Sequence, residues 1–216
     1  MIFDATKCTL GEGPLWHPLR KQLFWFDILG MRLHTRGQHW DLDTYVSAAG
    51  WVDHDTLVIA SAKGLHRFDI TTGEQSLLCG LEADNAGTRS NDGRADPQGG
   101  FWIGTMGLNA EPGAGSIYRY YKGELRKLYG DLQITNSICF APSGDTAYFT
   151  DTNTQMVMAV SLDTDGIFVP LYIGYIIDTT LQTTKYMYIL LAVTVVGELL
   201  FIVAIIMRNY ALAACA

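Results

Sequence analysis

The sequence predicts an all-β protein, organised over residues 1–166 as a β-propeller. The first observation behind this is a series of short alternating apolar runs, among them Gln22–Ile28, Thr56–Ser61, Gly100–Thr105 and Thr146–Asp151. They are bounded by turn signals such as His17-Pro18, Thr71-Thr72-Gly73, Asp96-Pro97 and Pro142-Ser143-Gly144-Asp145. The second is recurrence: WHPLRKQLFWFD, ADPQGGFWIGT and FAPSGDTAYFTD are one unit, a turn followed by a strand with a small or acidic stop. No stretch of this region sustains a helical period.

The spacing of the unit sets the architecture. Pro97 and Pro142 stand 45 residues apart, and Pro18 and Pro97 79 apart, close to two such steps. WVDHDTLVIAS, with His54 in the place of the proline, fills the gap. Four units at about 40–45 residues match the length of a propeller blade. A second hairpin follows the unit, as in GLHRFDITTGE and GSIYRYYKGELRKL, giving four strands per blade. An irregular β-sandwich would not hold such a register.

Three polar residues share one phase of this repeat. Six residues ahead of each proline stand Glu12, Asn91 and Asn136, and the same phase in the second unit is Ala48. Equal phase means equivalent places in successive blades, expected just ahead of the innermost strand and therefore converging at one mouth of the central channel. Carboxylate and amide oxygens suit a hard divalent cation such as Ca²⁺, Mg²⁺ or Mn²⁺, and serve Zn²⁺ less well. The competing reading makes them local turn caps, a routine use of Asn. Arg89, two residues from Asn91, points to the same side in an extended segment, where its guanidinium fork could hold polyol hydroxyls or a developing oxyanion. Arg94 is expected beside it, and Asp92-Gly93 reads as a turn.

The remaining chemistry-bearing residues form no local motif. The histidines (His17, His34, His39, His54, His66) show no HxH or HExxH spacing and read as turn or strand-surface residues. Cys8, Cys79, Cys139 and Cys215 have no CxxC spacing and read as reduced thiols, with Cys8 and Cys139 half-buried in strands. The net charge of −7, with Lys and Arg scattered, excludes a nucleic-acid partner. The N-terminus shows no basic stretch followed by an apolar one, so a cytoplasmic protein is expected.

From residue 167 to 216 the pattern changes to an apolar, helix-like tail. Tyr186–Met207 is interrupted by Glu198, flanked by Lys185 and Arg208, and long enough, at about 20 residues, to cross a bilayer. It is expected to anchor the protein in a membrane through 186–207 or to be foreign to the fold, the product of a frameshift or a chimera, rather than to supply buried strands completing the ring.

Several segments in order carry a family resemblance. Leu10-Gly11-Glu12-Gly13-Pro14 with the Trp16 unit, Arg89-Ser90-Asn91-Asp92-Gly93-Arg94, Gly104-Thr105-Met106 and Ile134-Thr135-Asn136 resemble the senescence-marker/gluconolactonase/regucalcin-like family over about residues 3–166. The resemblance implies a six-bladed propeller, of which this chain holds about four blades. It also implies hydrolysis of a sugar lactone with one divalent metal ion, Ca, Mn, Mg and Zn not being distinguished. Carried over, Glu12 and Asn136 are metal ligands, while Arg89 and Asn91 bind substrate, Asn91 close to the metal. Ser137 stands where the family usually has Gly.

The family's general-base aspartate lies in a Pro-Asp-Gly stretch of a later blade, and this sequence has none; Asp151, Asp163 and Asp165 do not match it. The catalytic residue is therefore unassigned and activity of this chain is open. A non-catalytic calcium- or metal-binding propeller and a membrane-tethered propeller fragment are the alternatives. The expected partner is a small sugar lactone, with membrane contact only through the tail.

Overall fold

The protein is described from a computed structural model covering residues 2–178, with side chains through 167. Sixteen strands and no helix occur among the described residues. They form four four-stranded antiparallel sheets, each made of four consecutive strands in simple meander order. Blade one is β1 (Gly11–His17), β2 (Gln22–Asp27), β3 (Arg32–Thr35) and β4 (Gln38–Asp41). Blade two is β5 (Val46–Trp51), β6 (Thr56–Ser61), β7 (Gly64–Asp69) and β8 (Gln75–Gly80). Blade three is β9 (Thr88–Ala95), β10 (Phe101–Gly107), β11 (Gly115–Tyr121) and β12 (Glu124–Leu132). Blade four is β13 (Thr135–Phe140), β14 (Thr146–Asp151), β15 (Met156–Leu162) and β16 (Phe168–Asp178).

This is the propeller arrangement the repeat predicts, with one shift. The first strands β1, β5, β9 and β13 are the ones that neighbour each other from blade to blade, so they line the axis. The recurring unit in the sequence is thus the second strand of each blade, and Glu12, Asn91 and Asn136 lie within the innermost strand rather than ahead of it. Crowding at the axis explains the small residues of β5, where Val46, Ser47, Ala48 and Ala49 are all buried.

Three apolar clusters hold the blades together, one per interface. Phe24, Phe26 and Leu33 of blade one meet Val46, Leu57, Ile59 and Phe68 of blade two. Ala60, Leu65 and Leu81 of blade two meet Phe101 and Ile103 of blade three. Trp102, Ile117 and Leu132 of blade three meet Ile138, Phe149, Met158 and Val160 of blade four. Each large side chain fully withdrawn from water stabilises by about 1.5–3 kcal/mol, so every interface outweighs any single hydrogen bond crossing it.

Two aspartates fix where the inner strands start. Asp27, ending β2, accepts from Thr9 N at 2.9 Å and Leu10 N at 2.9 Å. Asp151, ending β14, accepts from Gln133 N and Ile134 N, both at 3.0 Å. Each carboxylate clamps the segment feeding its own blade's inner strand, and the backbone repeats the motif: Ile28 N donates to Leu10 O and Thr152 N to Ile134 O, both at 2.9 Å.

The fourth sheet takes its last strand from Phe168–Asp178, past the composition break at Gly166. The proposed span 186–207 lies outside the described residues; among those described, no helix is long and apolar enough to cross a membrane. Cys139 lies half-buried in β13 as expected, whereas Cys8 is half-buried in the irregular lead into β1, because its neighbours are bound by Asp27 rather than by a partner strand. Burial pushes the Cys139 thiol up to about 11.

His17 is fully buried and ties blade one to blade two: its Nε2 meets Asp53 O at 2.9 Å, and its Nδ1 accepts from Arg20 N at 3.3 Å. That pattern requires a neutral ring with the proton on Nε2. Burial holds His17 below its ordinary value of 6.5, and does the same to His66, whose Nε2 meets Ser61 Oγ at 3.0 Å. With both values depressed in the folded state, their stabilisation is complete above pH 6.5 and is lost as pH falls through the folded values. The melting midpoint should therefore fall as pH drops from about 7.5 to about 5.5, and His17→Gln should flatten that slope. An unchanged slope in the variant would show that His17 is not the sensor.

Candidate functional site

Each inner strand breaks its pairing register at or beside the phased position. On β1 the break falls between Glu12, opposite Phe26, and Leu15, opposite Phe24. On β13 it falls between Asn136, opposite Thr150, and Cys139, opposite Tyr148. On β9 it takes in Asn91 and Asp92, between Ser90, opposite Thr105, and Gly93, opposite Ile103. Such bulges re-aim a side chain that regular pleating would send to a face of the sheet. The residue after the phased position turns left-handed in blades one and four, at Gly13 (φ 56°) and Ser137 (φ 58°).

That conformation accounts for two sequence features. At Gly13 a Cβ would collide with Ser47 O of blade two and crowd Phe26, so glycine answers both φ and space. Ser137 adopts the same turn with a side chain, at a cost of about 1 kcal/mol. This is the physical meaning of a serine where a glycine is usual.

Around these bulges the polar groups form a connected set. Arg89 (7% exposed) donates from Nη1 to Ser90 O and to Asn91 Oδ1, each at 2.9 Å. Asn91 (8% exposed) donates from Nδ2 to Thr135 O at 2.8 Å, the residue before Asn136. Asn136 is half-buried and donates from Nδ2 to Thr152 Oγ1 at 3.1 Å, which leaves its amide oxygen as the atom able to meet a cation. Glu12 lies half-buried on β1 and is felt electrostatically at Arg89. Burial pulls the Arg89 guanidinium below its ordinary value, and the negative charge of Glu12 opposes that pull. The structure thus joins Arg89, Asn91 and the β13 segment carrying Asn136 by hydrogen bonds, with Glu12 coupled through charge. Ala48, opposite Ala60, adds no polar group.

Several residues of the site were not legible in the sequence. Asp92, expected in a turn, is a strand residue whose Oδ2 accepts from Ile138 N at 2.8 Å. Arg94, expected beside the channel mouth, donates from Nε to Ile138 O at 3.1 Å. Together they grip the Ile138 residue on both sides. Burial pushes the Asp92 carboxyl up, against the backbone N–H groups of Ile138, Gly93 and Ser137 and the charge of Arg94. Thr135 Oγ1 donates to Thr105 O at 2.9 Å, and at Gly104 a Cβ would strike Thr135, so the glycine lets β10 approach β13. The signal for these residues was their place in the same segments as the phased asparagines.

Two of the aspartates outside this cluster bind backbone N–H groups. Asp151 takes three backbone N–H groups, from Gln133, Ile134 and Asn153. Asp163 takes those of Asp165 and Ile167 in a turn.

The fold defines the chain as a blade-repeat propeller, with this axial polar cluster as its candidate site. The chain belongs to the SMP-30/Gluconolactonase/LRE-like family, whose region matches residues 10–169. Relatives include a protein named as a sugar lactone lactonase in Rhizobium meliloti (strain 1021), 41% identical over 160 residues, covering 71% of this chain and 54% of that protein. An L-arabinolactonase of Azospirillum brasilense is 34% identical, over 69% of this chain and 53% of that protein. Among solved structures, the calcium-binding protein regucalcin from Agrobacterium tumefaciens str. C58 is similar with a TM-score of 0.78 and 42% identity, covering 82% of this chain and 62% of that one. The chain spans about half the length of the curated relatives it matches.

Gly13→Ala should destabilise the fold by about 2–4 kcal/mol, combining a left-handed non-glycine residue with overpacking against Ser47. Chemical denaturation measures this, and a loss under about 0.5 kcal/mol would show that β1 and β5 can separate without penalty.

Proposed function

We propose that this chain forms four blades of a sugar-lactone hydrolase that works with one divalent metal ion. The observation that carries the reading is the buried Arg89 guanidinium, locked through Nη1 onto Asn91 at 2.9 Å and coupled to Glu12, on the same inner strands as Asn136. Relatives over this region bear lactonase names.

The donor chemistry fits a hard cation: a carboxylate from Glu12 and an amide oxygen from Asn136. Two protein ligands fall short of the about 6–8 oxygens that Ca²⁺ takes, so water, substrate or groups beyond these four blades complete the shell. When bound, such an ion acts as a Lewis acid toward the lactone carbonyl. Arg89 has Nε and Nη2 left as donors once Nη1 is engaged, and these can bind lactone hydroxyls or ring oxygens. Asn91 orients Arg89 and holds β13, so its side chain sets the distance between the arginine and Asn136.

A second reading is favoured by one observation. Asp151 and Asp163 are both engaged by backbone N–H groups that tie them to their own turns, which argues against either as a general base. On that reading these four blades bind metal and lactone without turnover, and hydrolysis needs a carboxylate from elsewhere.

Hydrolysis of aldonolactones by the 216-residue chain, followed by acid release, tests both. The first reading expects chelator-sensitive turnover that falls by about 100-fold or more in Glu12→Gln and in Arg89→Met. Chelator-insensitive turnover, or full activity in Glu12→Gln, overturns it. Metal binding lost in Glu12→Gln, with no turnover in the parent chain, establishes the second.

A further inference from the structure

At the start of β1, blade one assembles a second set of metal-ligating groups. One ligand atom each of Cys8, Asp27 and His34 lies within 4.8 Å of the other two. The residues come from three places: the lead into β1, the end of β2 and the middle of β3. Trp25 pairs directly opposite His34, and Asp27 opposite Arg32, so Trp25, Asp27 and His34 project from one face of the sheet.

Each group has ligating capacity to spare. His34 is 95% withdrawn from solvent, being 5% exposed, and its Nε2 is buried with no hydrogen-bond partner. A buried polar nitrogen left unsatisfied costs about 1–3 kcal/mol, which calls for an explanation of the site rather than of the fold. Asp27 Oδ1 accepts from both Leu10 N and Gly30 N, whereas Oδ2 accepts only from Thr9 N and retains a lone pair. Cys8 is a free, half-buried thiol. Trp25 stacks on His34 at 5.6 Å with an interplanar angle of 8°, so its ring positions the imidazole.

We propose that Cys8, Asp27 and His34 form a binding site for a thiophilic divalent ion of the zinc class, separate from the oxygen-donor site at Glu12 and Asn136. A thiolate, an imidazole and a carboxylate are the donor types of tetrahedral zinc, and three protein ligands leave a fourth position for water. Binding forms a metal–sulfur bond and releases the thiol proton to solvent. Burial and the neighbouring Asp27 carboxylate keep that thiol protonated in the absence of metal. The ion would pin the chain's leading segment across β2 and β3, adding to the clamp that Asp27 makes on Thr9 and Leu10.

Titration of the full chain with Co²⁺, followed by displacement with Zn²⁺, tests this without reference to activity. A thiolate-to-cobalt charge-transfer band should appear in the near ultraviolet and vanish on adding Zn²⁺. Cys8→Ser should abolish the band, and His34→Gln should weaken Co²⁺ binding by at least about tenfold, since loss of even an outer-shell partner costs about 10–100-fold. No band in the parent chain, a band that persists in Cys8→Ser, or unchanged affinity in His34→Gln overturns the site. Should Cys8→Ser fail to fold, alkylation of the parent chain decides: Zn²⁺ must slow labelling of Cys8 relative to Cys139, and equal labelling with and without Zn²⁺ refutes the proposal.

Discussion

The structure depends on the clasp between β9 and β13. Inner strands of successive blades do not share a ladder, so side chains must supply the polar contacts that backbone pairing supplies within a blade. On β9, Asn91 binds Thr135 O, Asp92 binds Ile138 N and Arg94 binds Ile138 O. Three side chains of one strand thereby fix the height and rotation of the strand that carries Asn136. The apolar cluster of Trp102, Ile138 and Phe149 supplies most of the adhesion, but it is non-directional. The clasp decides register, and the candidate site inherits its geometry from that decision.

The other interfaces use the same device with different chemistry. Between blades two and three, Ser47 Oγ meets Ser90 Oγ at 2.7 Å, and Ser90 Oγ lies 3.3 Å from Ala60 O. Farther along the same interface, Glu82 accepts from Tyr118 Oη at 2.7 Å and from Thr105 Oγ1 at 3.0 Å, and with burial this drives the Tyr118 phenol up to about 12. Between blades one and two it is His17 against Asp53 O. Among the described residues, only the blade three–four interface places amide, carboxylate and guanidinium together at the axis. The candidate site falls where the structural contacts are already the most polar, because the side chains that hold strand register there also end beside the phased residues.

The two candidate metal sites call for different donor chemistries. The inner-strand bulges present oxygen donors from residues that share one phase of the repeat, a pattern suited to a hard cation. The segment entering β1 and the facing β2 and β3 present sulfur, nitrogen and oxygen from Cys8, Asp27 and His34, which no spacing in the chain connects. Asp27 illustrates how one residue can serve both fold and site: its clamp on Thr9 and Leu10 sets the start of β1, and hence the place of Glu12 two residues further on.

Taken by itself, the sequence determined the fold class, the blade period, four strands per blade and the phase shared by Glu12, Asn91 and Asn136. Those are local or periodic properties: alternation writes a strand, turn residues write its ends, and a repeat of constant length writes equivalence between blades. It could not determine which strand of the unit is innermost, because strand order from the axis depends on how sheets pack and not on any one sheet's pattern. Tertiary structure alone decided that Asp92 and Arg94 clasp the next blade rather than make a turn or line the channel mouth. It alone gathered Cys8, Asp27 and His34, since residues with no common period meet only when antiparallel pairing lays their strands side by side.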